Sequence, residues 1–172
     1  MNSIFSKIIS GQLPSYKIAE DDKHFAFLDI NPNSIGHTLC VTKKQVDKLL
    51  DLKEEEFLNL MTFSRKVAKA IEKSVPCNRI SLSVIGLEVP HVHVHLIPIK
   101  NMDEATFKVK IKVSDKKMQE IAGKDENTVE VQTSSNFSKE LIQAFQDLEV
   151  QGNSEVFDTD AIHPISGQKI YV

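Results

Sequence analysis

The sequence predicts an α+β fold, and three observations carry that reading. Short segments of alternating apolar and polar residues follow one another through tight polar turns, one long stretch repeats at helical spacing, and one strand sets histidine at every second position. The first ten residues, MNSIFSKIIS, read as a short amphipathic helix. YKIAEDDKHFAFLDI then reads as two strands joined by the polar turn Glu20 to Lys23, and HTLCVTK as a third, so a meander is forming. Asp51 is expected to cap the next helix, with Glu54 three residues later closing a capping box. Phe57, Leu60, Met61, Ser64, Val67, Ala68 and Ile71 repeat along it until Pro76 stops them. RISLSVIG resumes alternation, with Ile80, Leu82 and Val84 on one face and Ser81 and Ser83 on the other. After Pro98, Ser114 opens a shorter helix that Gly123 ends.

Composition limits what this sheet can serve. A chain of 172 residues with 41% apolar residues fits one domain and an added segment. A formal charge of -3 offers no basic surface for nucleic acid, and no run approaches the roughly 18 apolar residues of a membrane helix. The amino terminus lacks the basic start, apolar middle and small-residue cleavage site of a secretory signal, so a cytoplasmic protein is expected. Of two cysteines, Cys40 lies in the apolar run TLCV and reads as a buried free thiol.

PHVHVHLIPI, residues 90 to 99, is the most informative stretch. Successive strand side chains point to opposite faces, so Val92, Val94 and Leu96 share one face while His91, His93 and His95 share the other. A chance cluster of exposed histidines is a poor reading of three at strict alternation. A metal site is a second, since His-x-His on a strand can place two imidazoles on one ion, with His37 as a third ligand. All three row histidines cannot share an ion, because neighbours stand roughly 6.6 Å apart and the outer pair roughly 13 Å. The third reading is a catalytic row, with the middle imidazole as nucleophile and its neighbours positioning it and managing protons.

HVHVHLI matches the alternating signature of the histidine triad (HIT) family of nucleotide hydrolases and transferases, and the first ~120 residues resemble that family in order. SIFSKIISGQLPSYKIAEDD is similar to its amino-terminal helix and first strand, FAFLDINPNSIGHTLCVTKK to its ribose-binding strand and GHTL segment, and GLEVPHVHVHLIPI to the form common in bacterial members. The resemblance implies an antiparallel α+β domain over residues 1–124 that pairs as a homodimer and needs no cofactor. It implies that His93 attacks the α-phosphorus of a purine nucleotide, that His91 and His95 contact phosphate and leaving group, and that His37 completes the polar cluster. Asp29 would accept hydrogen bonds from both ribose hydroxyls, a task that suits a carboxylate; its plainer reading is a turn-former before Asn31 and Pro32. Ile4, Phe5, Ile8 and Phe27 are candidates for the slot holding the base, or equally for core. The expected activity is hydrolysis of purine nucleoside phosphoramidates or related adenylates. A dinucleoside polyphosphate hydrolase and a non-enzymatic nucleotide- or metal-binding regulatory module stand as alternatives.

The departures are specific. Many members open with Cys-x-x-Cys, which binds zinc with downstream histidines, whereas Ser3 and Ser6 stand here; hydroxyls are poor zinc ligands, so no metal is expected. Leu87 replaces a phosphate-contacting glutamine, which leaves Ser83 or nearby backbone amides to supply that contact, and Glu88 is expected to point outward. Residues 125–172 fall outside the resemblance. There TVEVQT and GQKIYV read as strands and SKELIQAFQDLEV as a helix, whose stripe of Leu141, Ile142, Phe145 and Leu148 should pack on the domain or a partner subunit. His163 reads as solvent-exposed.

Overall fold

The computed structural model describes residues 3–123. The expected elements of residues 125–172, the boundary at 124, the apolar stripe from Leu141 to Leu148 and His163 lie outside the described residues. A five-stranded antiparallel sheet runs β1 (Lys17–Glu20), β2 (His24–Leu28), β3 (Thr38–Thr42), β4 (Arg79–Ser83) and β5 (His93–Ile99), in the spatial order β1-β2-β3-β5-β4. The first three strands form the expected meander, and β5 is then inserted between β3 and the edge strand β4. The histidine strand is therefore interior, hydrogen-bonded on both sides and shielded from the solvent at a sheet edge.

Each face of the sheet is covered by the helix whose apolar residues fit it. On one face Ala26, Cys40, Val92, Val94 and Leu96 meet Leu60, Phe63, Val67, Ala68 and Ile71 of α2 (Glu54–Ser74). On the other, α1 (Ile4–Ile9) lays Phe5 against Phe25, Phe27, Leu39 and Val41. The alternation of PHVHVHLIPI thus resolves into one face packed on α2 and one facing α1. A third helix, α3 (Asp115–Ala122), docks Met118 and Ile121 on Leu28. Ser114 caps it by accepting from the Lys117 N–H, and Gly123 closes it in the left-handed region at φ 78°.

Three boundaries differ from the sequence reading. Asp51 does not cap α2: it ends a 3-10 turn over Leu49–Asp51, and the helix begins after Lys53, whose N–H is accepted by the Glu56 carboxylate. The extra turn lets Leu49 and Leu52 pack against the main core, a tertiary gain that overrides the local cap signal. β4 stops at Ser83, so only Ile80 of its apolar face packs on the core, while Leu82 and Val84 remain 45% and 37% exposed. β5 starts at His93, because the chain turns at His91, whose N–H reaches the Val89 carbonyl.

Candidate active site

Register sets the row. His95 pairs with Leu39 and Ser83, and His93 with Val41, so these side chains share a face with Phe25 and Phe27 of β2. His91, His93 and His95 are all buried, as is His37 at the entrance to β3. Gly36, at φ 85°, makes the bend that delivers His37, and a Cβ there would stand 2.9 Å from Val75 Cγ2. Only glycine fits that combination of dihedral and space.

Hydrogen bonds fix which nitrogen of each imidazole carries a proton. A carbonyl can only accept, so the 2.7 Å contact of His93 Nδ1 with the His91 carbonyl requires Nδ1–H and leaves Nε2 with a free lone pair. His37 Nδ1 accepts the Asn33 N–H at 3.1 Å, so its proton sits on Nε2 and is donated to His95 Nδ1 at 3.0 Å. His95 must then carry its own proton on Nε2. The middle histidine thus presents a lone pair and its neighbour presents a donor, with ring centroids 4.8 Å apart. Burial pushes the pKa of both His37 and His95 down to about 3, and like charge lowers them further, from Lys110 at His37 and from any neighbouring imidazole that becomes protonated at both. His91 is lowered by burial as well. His37 and His95 are therefore neutral at neutral pH, as the hydrogen bond between their rings requires.

Asp29 lies at the end of β2 with its side chain 15% exposed, and its two oxygens divide two duties. Oδ1 accepts the Asn31 N–H at 2.8 Å, the turn expected before Pro32, while Oδ2 lies 3.7 Å from His37 Nδ1. That separation is no ion pair, because His37 Nδ1 already accepts a proton from Asn33 and the imidazole is neutral. Asp29, His37 and His95 lie close enough to hold a cation, and here their imidazoles are hydrogen-bonded to each other and to the Asn33 N–H.

The four apolar candidates separate by burial. Phe5 and Phe27 are buried and meet edge to face at 5.5 Å; Phe5 also packs its ring on His93 at 5.1 Å and on His91 at 5.8 Å. Ile8 is half-buried against the same cluster, and Ile4 is 50% exposed. Ser83 is half-buried opposite His95. Leu87 and Glu88 are exposed, so neither reaches inward.

The sequence reading missed one segment. Phe107 sits over the relay, 4.8 Å from His95 and 6.1 Å from His37 by ring centroids, on a non-glycine backbone at φ 62°. Lys110 lies 5.2 Å from the Phe107 ring centroid and donates to Asn33 Oδ1 at 2.8 Å. No periodic pattern marks residues 103–111; the one available signal was an isolated aromatic among lysines. A cleft of about 620 Å³ opens elsewhere, beside His24 and the start of α2. Its Lys23, Lys43 and Lys44 are paired with Glu55, Glu20 and Glu56, and none of the row histidines lines it.

Comparison with known proteins agrees with this architecture. An uncharacterized HIT-like protein of Borreliella burgdorferi is 36% identical over 118 residues, covering 61% of this chain and 81% of that one. The adenosine 5′-monophosphoramidase HNT1 of Saccharomyces cerevisiae is 38% identical over 96 residues, covering 55% of this chain and 61% of its own. A crystal structure of a HIT-like protein involved in cell-cycle regulation from Bartonella henselae, 28% identical, superposes with a TM-score of 0.63 over 83% of this chain and 96% of that one. The family model of the HIT domain matches residues 10–102, from the end of α1 to just beyond β5, and the chain therefore belongs to the HIT domain family.

Proposed function

We propose that this chain hydrolyses purine nucleoside phosphoramidates or related adenylates at the α-phosphate, through a nucleotidyl-His93 intermediate. The observation that carries the reading is the pair of opposed imidazole tautomers: a bare Nε2 on His93 beside a protonated Nε2 on His95. His93 Nε2 bonds to the α-phosphorus as the P–N bond breaks, the His95 Nε2–H hydrogen-bonds the departing nitrogen, and that nitrogen takes its proton from water. Water then attacks the phosphorus, the P–His93 bond breaks, His93 Nε2 regains its lone pair, and the attacking water releases its proton to solvent. Asp29 Oδ2 accepts from the ribose, and Ser83 or the amides near Glu88 contact the phosphate. HIT relatives that include adenosine monophosphoramidases support a hydrolase of this type. The test is a panel of adenosine and guanosine phosphoramidates, acyl-adenylates and dinucleoside polyphosphates, scored by release of nucleoside monophosphate. Fastest turnover of the phosphoramidates supports the reading, and fastest turnover of the dinucleotides replaces it with the polyphosphate alternative. Nucleotide binding without any turnover would leave a regulatory module.

We also propose a homodimer, supported by the edge that β4 leaves unpaired among the described residues and by the exposed Leu82 and, just beyond the strand, Val84. Sedimentation at the mass of a single chain would count against it.

A further inference from the structure

One polar cluster lies outside the row and the relay, where α1 begins. Ser3 Oγ stands 2.7 Å from His91 Nδ1, and His91 Nε2 stands 2.7 Å from the Thr42 carbonyl. The carbonyl can only accept, so Nε2 bears the proton and Nδ1 of the neutral ring accepts the Ser3 hydroxyl. Ser3 Oγ in turn accepts the Ser6 N–H at 3.1 Å, which makes it the cap of α1. Gln45 closes the ring: its Oε1 accepts from the Ser3 N–H at 3.0 Å and the Ser6 hydroxyl at 3.2 Å, and its Nε2–H donates to the Pro90 carbonyl at 3.0 Å. Both sides of His91 are thereby tied, its ring through Ser3 and the preceding peptide through Gln45. The His91 carbonyl is the group that holds His93 with Nε2 bare.

Ser3 and Ser6 stand where the family resemblance would place Cys-x-x-Cys and its zinc, and the residues present do not fit a metal. Two hydroxyls and an amide oxygen are weak, neutral ligands, and the one good donor atom, His91 Nδ1, is already engaged by a proton from Ser3. We propose that Ser3 and Gln45 are positioning residues, forming a metal-free clasp that holds the His91 ring in place and with it the carbonyl that orients His93. The clasp gives α1 a task besides covering the sheet: it joins the amino terminus to the reacting row.

The kinetic part of the inference rests on the proposed hydrolase activity, so the experiment reads the clasp directly as well. Nitrogen-15 imidazole spectra of the full chain are expected to show His91 protonated at Nε2 and bare at Nδ1. Ser3→Ala is expected to shift the His91 and His93 imidazole signals and to lower kcat roughly 10–100-fold with little change in KM, the scale of a small misplacement of a reacting group. Ser3→Thr, which keeps the hydroxyl, should restore kcat. Chelation should leave the melting temperature of protein grown with zinc unchanged. A His91 protonated at Nδ1 overturns the proposal, as does a Ser3→Ala protein with unchanged imidazole signals and kcat, or a loss that Ser3→Thr does not relieve. One zinc held per chain and released by Ser3→Ala overturns it too. If the wild type turns over none of the panel substrates, the hydrolase reading fails while the spectra still decide the clasp.

Discussion

His93 differs from its neighbours in one respect, the nitrogen that carries its proton. A backbone carbonyl accepts from its Nδ1–H, whereas His91, His95 and His37 carry the proton on Nε2. If His93 is the nucleophile, His93→Ala should lower turnover by a factor on the order of 10⁴ or more, measured as kcat on a nucleoside phosphoramidate. A variant with half of wild-type activity would remove His93 from that role. Asp29→Ala should weaken ribonucleotides by about 1.5–3 kcal/mol, the range for hydrogen bonds to a charged group, and spare 2′,3′-dideoxy analogues. Equal losses in the two ligand sets would leave Asp29 with only the turn at Asn31 that it already caps. The histidines were legible because their spacing alone set them on one face. The tautomers were not, since they depend on Asn33 and on a carbonyl that only the folded backbone brings into range.

At the scale of elements, strand alternation and helix spacing translated directly into packing, because each sheet face meets one helix. Val92, Val94 and Leu96 are buried against α2 as their alternation implied, and Leu60, Val67 and Ile71 answer them. Leu60→Ala should therefore cost about 2–5 kcal/mol of stability, read as a shift in urea midpoint with KM unchanged. An unfolding free energy within a few tenths of a kcal/mol of wild type would show that the α2 seam is not the main core. Phe63 and Ala70 are also buried but lay outside the seven-residue stripe read from the sequence, since a helix seated on a broad sheet buries more than one narrow face. The start of α2 was misplaced for the opposite reason. Asp51 and Glu54 satisfy the local cap pattern, yet Leu49 and Leu52 gain more by packing than the cap would return. The segment at Phe107 escaped notice because neither periodicity nor motif marks a loop that is held by long-range ring contacts.

For the whole molecule, the same burial that keeps the relay neutral makes the fold sensitive to acid. His37 and His95 have pKa values near 3 when folded, against 6.5 in the unfolded chain, so the unfolded chain binds more protons throughout that interval. Their contribution is fully present above 6.5 and is lost progressively as the pH falls toward 3. Stability measured by urea unfolding should already fall between pH 6.5 and about pH 5, where ordinary carboxylates remain ionised, and His37→Asn should flatten that slope. A flat profile across this window would mean that the relay is open to water. Among the described residues, no helix is long and apolar enough to cross a membrane.

The central claim is that His93 becomes covalently nucleotidylated, and the most direct measurement is mass spectrometry of protein quenched in acid-free denaturant during turnover of an adenosine phosphoramidate. The account predicts a transient nucleoside monophosphate adduct that fragmentation of the peptide maps to His93 and that rises before product and is absent from His93→Ala. Product release with no adduct at any time within the first turnover, or an adduct that maps to His91 or His95, would contradict it.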